Sequence, residues 1–149
     1  MASTIYSLDE ESKGFPQTTE ITLTAAQIIA MYTTPVLVVP AVSNKAIVVD
    51  SVEFIMTRTA TAFTGGGVVS VQYKATAAGA GTSVQASTFA ATVVTTAGAG
   101  VSYSTRPPAT LSAVATADIN GIPLYVSNQT GVFAAGTGTA RVRVTYRIV

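Results

Sequence analysis

The sequence predicts an antiparallel β-sandwich or barrel, and three observations carry that prediction. Short runs of β-branched residues are separated by glycine- and proline-rich punctuation, as expected for many short strands. Only one stretch carries a helix signal. The eight residues Arg141–Ile148 alternate strictly between polar and apolar side chains, which is the signature of a strand with one buried face.

The elements follow in chain order. Residues 1–20 hold Asp9, Glu10, Glu11 and Glu20 against a single Lys13, and Gly14 and Pro16 interrupt any helix. Their apolar residues are too few for a core, so the segment reads as an extended arm on a sandwich spanning 21–149. Thr24-Ala25-Ala26-Gln27 is a capping box, predicting a helix from about Ala25 to Tyr32 that presents Ile28, Ile29 and Tyr32. Thr34-Pro35 ends it, because a residue before proline is pushed out of the α region. Val36-Leu37-Val38-Val39, between Pro35 and Pro40, reads as a strand.

A longer strand occupies Ala46 to Thr57, with an irregularity near Asp50-Ser51 and then Val52, Phe54 and Met56 on one face. Gly65-Gly66-Gly67 is a turn, after which Val69, Val71 and Tyr73 alternate with Ser70, Gln72 and Lys74. Weaker strands are expected near Ser83–Val94, Val101–Thr105 and Thr110–Ile119. Asn120-Gly121 is a strong hairpin signal, because both residues tolerate positive φ. Pro123 marks the next strand, Leu124 to Ser127, as an edge or starts it there. In Arg141–Ile148, Val142, Val144, Tyr146 and Ile148 face the core while Arg141, Arg143 and Arg147 face water or a partner.

Composition excludes much chemistry. Alanine (24), threonine (24), valine (20) and glycine (12) fill more than half of the 149 positions, while Cys, His and Trp are absent. Without cysteine there is no disulfide framework, thiolate zinc site or cysteine nucleophile. Without histidine there is no Ser-His-Asp triad and no imidazole base. No phosphate-binding glycine loop and no Gly-x-Ser-x-Gly occurs. Asp50 and Glu53 read as strand-edge charge rather than an acid–base couple, so neither enzyme activity nor a cofactor is expected. A net charge of +1 does not fit nucleic-acid binding, which needs a clustered basic excess. The apolar run Val36–Val42 is too short to span a bilayer. The polar, acidic opening is not a secretory signal, so the Asn128-Gln129-Thr130 sequon carries little weight and synthesis in a cytoplasm is expected.

Three stretches together resemble a known group of proteins. They are Ile21–Ile28 running into Thr34–Ala41; Ile47–Val52 after the turn Ser43-Asn44-Lys45; and Ile122–Ser127 followed, after a Gly/Thr-rich loop, by Arg141–Tyr146. Their order is similar to that of tailed-phage virion proteins of the capsid decoration, or cement, type. The resemblance spans roughly 21–149 and leaves the arm outside it. It implies a jelly-roll-like sandwich that forms a homotrimer on the outer capsid surface and bridges major capsid protein subunits. The alternative is a head-fibre or tail-fibre component whose loops at Gly65–Gly67, Gly79–Gly81 and Gly98–Gly100 recognise a host surface.

Contacts are expected at two places. Ile5, Tyr6, Leu8 and Phe15 would anchor the arm on a neighbour, each worth about 1.5–3 kcal/mol if fully buried. Asp9, Glu10 and Glu11 would face basic groups there and set orientation. Arg141, Arg143 and Arg147 would meet an acidic surface, or else form an ordinary solvated strand face. A chain starting at Glu20 would then melt normally and bind capsids weakly.

Overall fold

The computed structural model describes residues 14–110 and 118–149. Its strands are β1 (Gln17–Leu23), β2 (Val36–Val39), β3 (Ile47–Arg58), β4 (Thr64–Gly65), β5 (Val69–Tyr73), β6 (Gly100–Arg106), β7 (Leu124–Asn128), β8 (Phe133–Ala134) and β9 (Thr139–Ile148). Two short helices, α1 (Ala25–Ala30) and α2 (Thr92–Thr95), and a 3-10 turn at Ala77–Gly79 complete it.

The strands form two antiparallel layers. One sheet runs β1-β9-β3-β6 and the other β2-β7-β5, while β4 and β8 pair separately. The stretch 83–89 lies along β5 through bridges from Val69 to Phe89 and from Gln72 to Ser83, taking the fourth place in the second sheet. First and last strands are neighbours in one layer, and, with the β4–β8 pair set aside, the chain crosses between layers at each step except from β5 into 83–89. This is the jelly-roll order, two Greek keys folded over one core.

The core is a single apolar cluster drawn from both layers. It includes Val52, Phe54 and Met56 of β3, Val69, Val71 and Tyr73 of β5, Leu124 and Val126 of β7, and Val142 and Val144 of β9. The inner faces therefore match the alternation read from β3 and β9. The irregularity near Asp50-Ser51 is a register shift between Val49 and Ser51 against β9. It lets β3 keep Ile47 and Val49 buried on one side of the slip and Val52 on the other. Thr24 caps α1 as its sequence implies, with its Oγ1 accepting from Gln27 N at 3.3 Å and Gln27 Oε1 accepting from Thr24 N at 2.9 Å.

Tyr73 ties the layers together. Its ring is wholly buried, and its hydroxyl donates to the Ile47 carbonyl. Burial pushes the phenol up to about 12 from an ordinary 10.0. The unfolded chain releases this proton from about pH 10, whereas the folded chain holds it to about 12. Stability is thus full below that window and falls as pH rises through it. Tyr73→Phe is expected to cost about 1–3 kcal/mol by leaving the Ile47 carbonyl unpaired. It should also flatten the alkaline fall, as urea melts at a series of pH values would read.

Four expectations are corrected. The arm does not extend to residue 20, because Gln17–Leu23 pairs along its whole length with Tyr146–Ala140 of β9. A chain starting at Glu20 would lose three rungs of that ladder, so it should melt lower than the full chain. The strand expected over Ser83–Val94 breaks at its end into α2, so the described residues hold two short helices rather than one. There Thr95 Oγ1 bonds the Ala91 carbonyl at 3.2 Å, and Val94 anchors the turn in the core. Asn120-Gly121 is a turn, with Ile122 N donating to the Ile119 carbonyl at 3.4 Å. Asn120 does not take the positive φ expected of it, and it bridges to Ala46. Gly121 takes φ +69 and donates to the Lys45 carbonyl at 2.7 Å, pairing the turn with the start of β3 instead. The strand expected over Thr110–Ile119 lies largely outside the described residues.

The fourth concerns β5, where the alternation of Val69, Val71 and Tyr73 with Ser70 and Gln72 implies one solvent-facing side. All five of its residues are buried, because the segment after β5 folds back over the outer side of the sheet. Gln72 holds it there: Nε2 donates to the Thr76 carbonyl at 2.6 Å, and Oε1 accepts from Gly81 N at 3.1 Å. Gln85 does similar work, its Oε1 taking the Val71 N–H at 3.0 Å where the irregular stretch offers no backbone carbonyl.

Candidate interaction surface

The outer face of the β1-β9-β3-β6 sheet gathers most of the charge in the described chain. Period-2 alternation puts Arg141, Arg143 and Arg147 of β9 on it, opposite the buried Val142 and Val144. Pairing on both sides of β9 then supplies acids. Arg143 sits directly across from Glu20 of β1 and from Glu53 of β3. Its Nη2 lies 2.8 Å from Glu20 Oε2 and its Nη1 3.1 Å from Glu53 Oε2. Arg141 Nη1 reaches Glu20 Oε1 at 3.3 Å, and Arg147 Nη2 reaches Asp50 Oδ1 at 2.8 Å.

The arginine stripe is therefore a ladder of ion pairs closed within the chain. No arginine on it is left to meet an acidic partner without first exchanging a carboxylate. The sequence reading located the arginines but missed their partners. Strand neighbours in a sheet are set by topology, and β1, β9 and β3 lie far apart in the chain.

Glu20 shows the electrostatic consequence. The Arg143 hydrogen bond, reinforced by the charge of Arg141, holds its carboxyl below the usual 4.5. A depressed carboxylate contributes stability above its unfolded value, and this is lost as pH falls through the folded one. Melting temperature should accordingly drop as pH falls below about 4.5. Glu20→Gln should shallow that drop while lowering the neutral-pH melting temperature only slightly, since exposed pairs are worth little.

The other expected contact residues fall in different places. Ile5, Tyr6, Leu8, Asp9, Glu10 and Glu11 lie outside the described residues. Phe15 precedes β1 and is 66% exposed, so it is not buried among the described residues. Of the glycine clusters proposed as a binding rim, Gly67 and Gly79 both abut Gln129. Gly79 packs on Gln129 over the outer side of the second sheet, where its N–H donates to Ser127 Oγ at 3.1 Å. Gly98–Gly100 instead lies near Arg58, whose Nη1 bonds the Ala97 carbonyl at 3.3 Å. Asn128 of the sequon is fully buried and donates to the Gly131 carbonyl at 2.6 Å, which closes it to glycosylation in the folded state.

Two apolar features remain. An open groove of about 520 Å³ runs beside β2, lined by Ala26, Ala30, Pro35, Leu37 and Tyr125 among others, with no charged group. At the opposite edge of the molecule's larger sheet, Val101 and Tyr103 of β6 stand 65% and 58% exposed. Among the described residues, no group of His, Cys, Asp and Glu side chains is arranged to hold a metal ion, and no helix is long and apolar enough to cross a membrane. Comparison of the chain with protein-family models, with curated proteins and with solved structures finds no match.

Proposed function

We propose that the chain is a structural virion protein, a decoration or cement protein bound to the outside of a phage capsid. The observation that carries this reading is the agreement between the strand order and the resembling segments. Those segments supply β1 with α1, β2, the start of β3, β7 and β9, which are the strands that build both layers of the jelly roll. Jelly rolls serve in viral capsid domains as well as in lectins and cupins, so the fold supports the reading by analogy and the segments select among its uses. An outer sheet face whose charges neutralise one another suits a scaffold that lies against other subunits.

The test is stoichiometry and rebinding. Purified virions should contain hundreds of copies of the chain. A few to a few dozen would replace this reading with a tail or fibre component. Binding to capsids stripped of the protein should weaken strongly for a chain starting at Gly14, which keeps β1 whole, while its melting temperature stays near that of the full chain. Undiminished binding would remove the arm from the contact.

A further inference from the structure

The edges of the two sheets are not equally protected. Strand β2 is only four residues long, carries a register shift between Leu37 and Val39, and is flanked by Pro35 and Pro40. Strand β1 carries Glu20 at its middle, already held in the ion-pair ladder. Short length, bulges, proline and charge are the devices that keep a sheet edge from pairing with another chain. Strand β6 has none of them over Gly100–Thr105. It pairs with β3 in unbroken register over seven residues, and among the described residues nothing pairs with its far side.

The sequence of that edge is close to a palindrome. Val101-Ser102-Tyr103-Ser104-Thr105 reads nearly alike in both directions, since valine and threonine have the same shape. A two-fold axis beside Tyr103 would set two copies of β6 antiparallel. Tyr103 would then face Tyr103 of the second copy, Ser102 would face Ser104, and Val101 would face Thr105. Aromatic, hydroxyl and β-branched pairs of this kind are the favourable cross-strand pairs. The sole charge, Arg106, would lie opposite Gly100 and far from its own counterpart. An isologous contact needs this kind of self-complementarity, whereas an unrelated strand would not require it.

We infer that β6 is a self-association edge, through which two copies of the chain join their larger sheets into one continuous eight-stranded sheet across a two-fold axis. The exposed Val101 and Tyr103 form the apolar strip that the seam covers, and Tyr103 stands beside the buried Ile55 of β3. The seam is smaller than the roughly 1,200 Å² of an ordinary stable interface, so the association is reversible. It does not depend on the capsid reading, and it is separate from any three-fold contact, which it would link in pairs.

The absence of cysteine makes a register test direct. Residues facing each other across the seam have Cα atoms about 4.5–5.5 Å apart, within disulfide range. Under mild oxidation Tyr103→Cys should therefore convert most of the full-length chain to a disulfide-linked dimer. Val101→Cys and Thr105→Cys should each link poorly alone and well when mixed. Tyr103→Lys, which sets two like charges together at an exposed site, should halve the mass measured by light scattering and leave the melting temperature within a few degrees. Failure of Tyr103→Cys to link, efficient linking of Val101→Cys alone, or a wild-type mass that Tyr103→Lys leaves unchanged would each overturn the inference.

Discussion

Val144→Asp is expected to leave the chain largely unfolded at room temperature, while Arg143→Ser one residue earlier should cost only a few degrees of melting temperature. Val144 is fully buried at the middle of β9, beside Val52 of β3 and Thr19 of β1. The buried polar residues described are Ser70, Gln72, Gln85, Ser127 and Asn128, and none carries a charge. A carboxylate introduced at Val144 would find no cation and no free donor. Its burial costs several kcal/mol, against a total stability of about 5–15 kcal/mol for an ordinary domain. The side chain of Arg143 is 38% exposed, and removing it breaks surface ion pairs that water and salt already screen. Circular dichroism melts of the two variants would check the contrast. Equal losses would contradict the burial of Val144.

Phe54→Ala is expected to destabilise the fold by about 3–5 kcal/mol, the usual range for emptying a buried phenylalanine site. Phe54 is fully buried on β3, and its ring centroid lies 5.6 Å from that of Phe89, tilted at 38°. Phe89 belongs to the irregular stretch along β5, which it fastens through two backbone bonds with Val69 at 2.8 and 2.9 Å. The guanidinium carbon of Arg106, from the end of β6, lies over the Phe89 ring, 5.0 Å from its centroid. Phe54 thus joins the central strand of one sheet to the least regular strand of the other. Its loss opens a cavity and removes the surface against which that strand is held. Phe54→Leu, which refills part of the space, should recover more than half of the loss. Urea melts would measure both, with an unchanged slope showing that the folded state keeps its extent.

Individual residues show what a sequence discloses and what it withholds. The periods of β3 and β9 were legible because each strand has one buried face, and a side-chain period of 2 leaves no ambiguity about which residues share it. The slip at Asp50-Ser51 was legible for the same reason, as a break in that period. The cap at Thr24 was legible because its two hydrogen bonds are local, spanning three residues. The stretch 83–89 was harder. It keeps a strand's position without a strand's regular ladder, and a glutamine side chain completes its hydrogen bonding.

What the sequence by itself determined was the β character of the chain, the inner faces of its long strands, the start of α1 and the absence of histidine and cysteine, and with them of imidazole and thiolate chemistry. Those properties follow from local periodicity, local hydrogen bonding and composition. Tertiary structure alone decided three other matters. It set β9 between β1 and β3, which turned a row of arginines into an ion-pair ladder with Glu20, Glu53 and Asp50. It folded the segment after β5 back over Ser70 and Gln72, burying residues that alternation had placed in water. It left β6 at the margin of its sheet with Val101 and Tyr103 exposed. The physical reason is common to all three: strand neighbours and sheet edges depend on contacts between residues distant along the chain, and local periodicity carries no record of them.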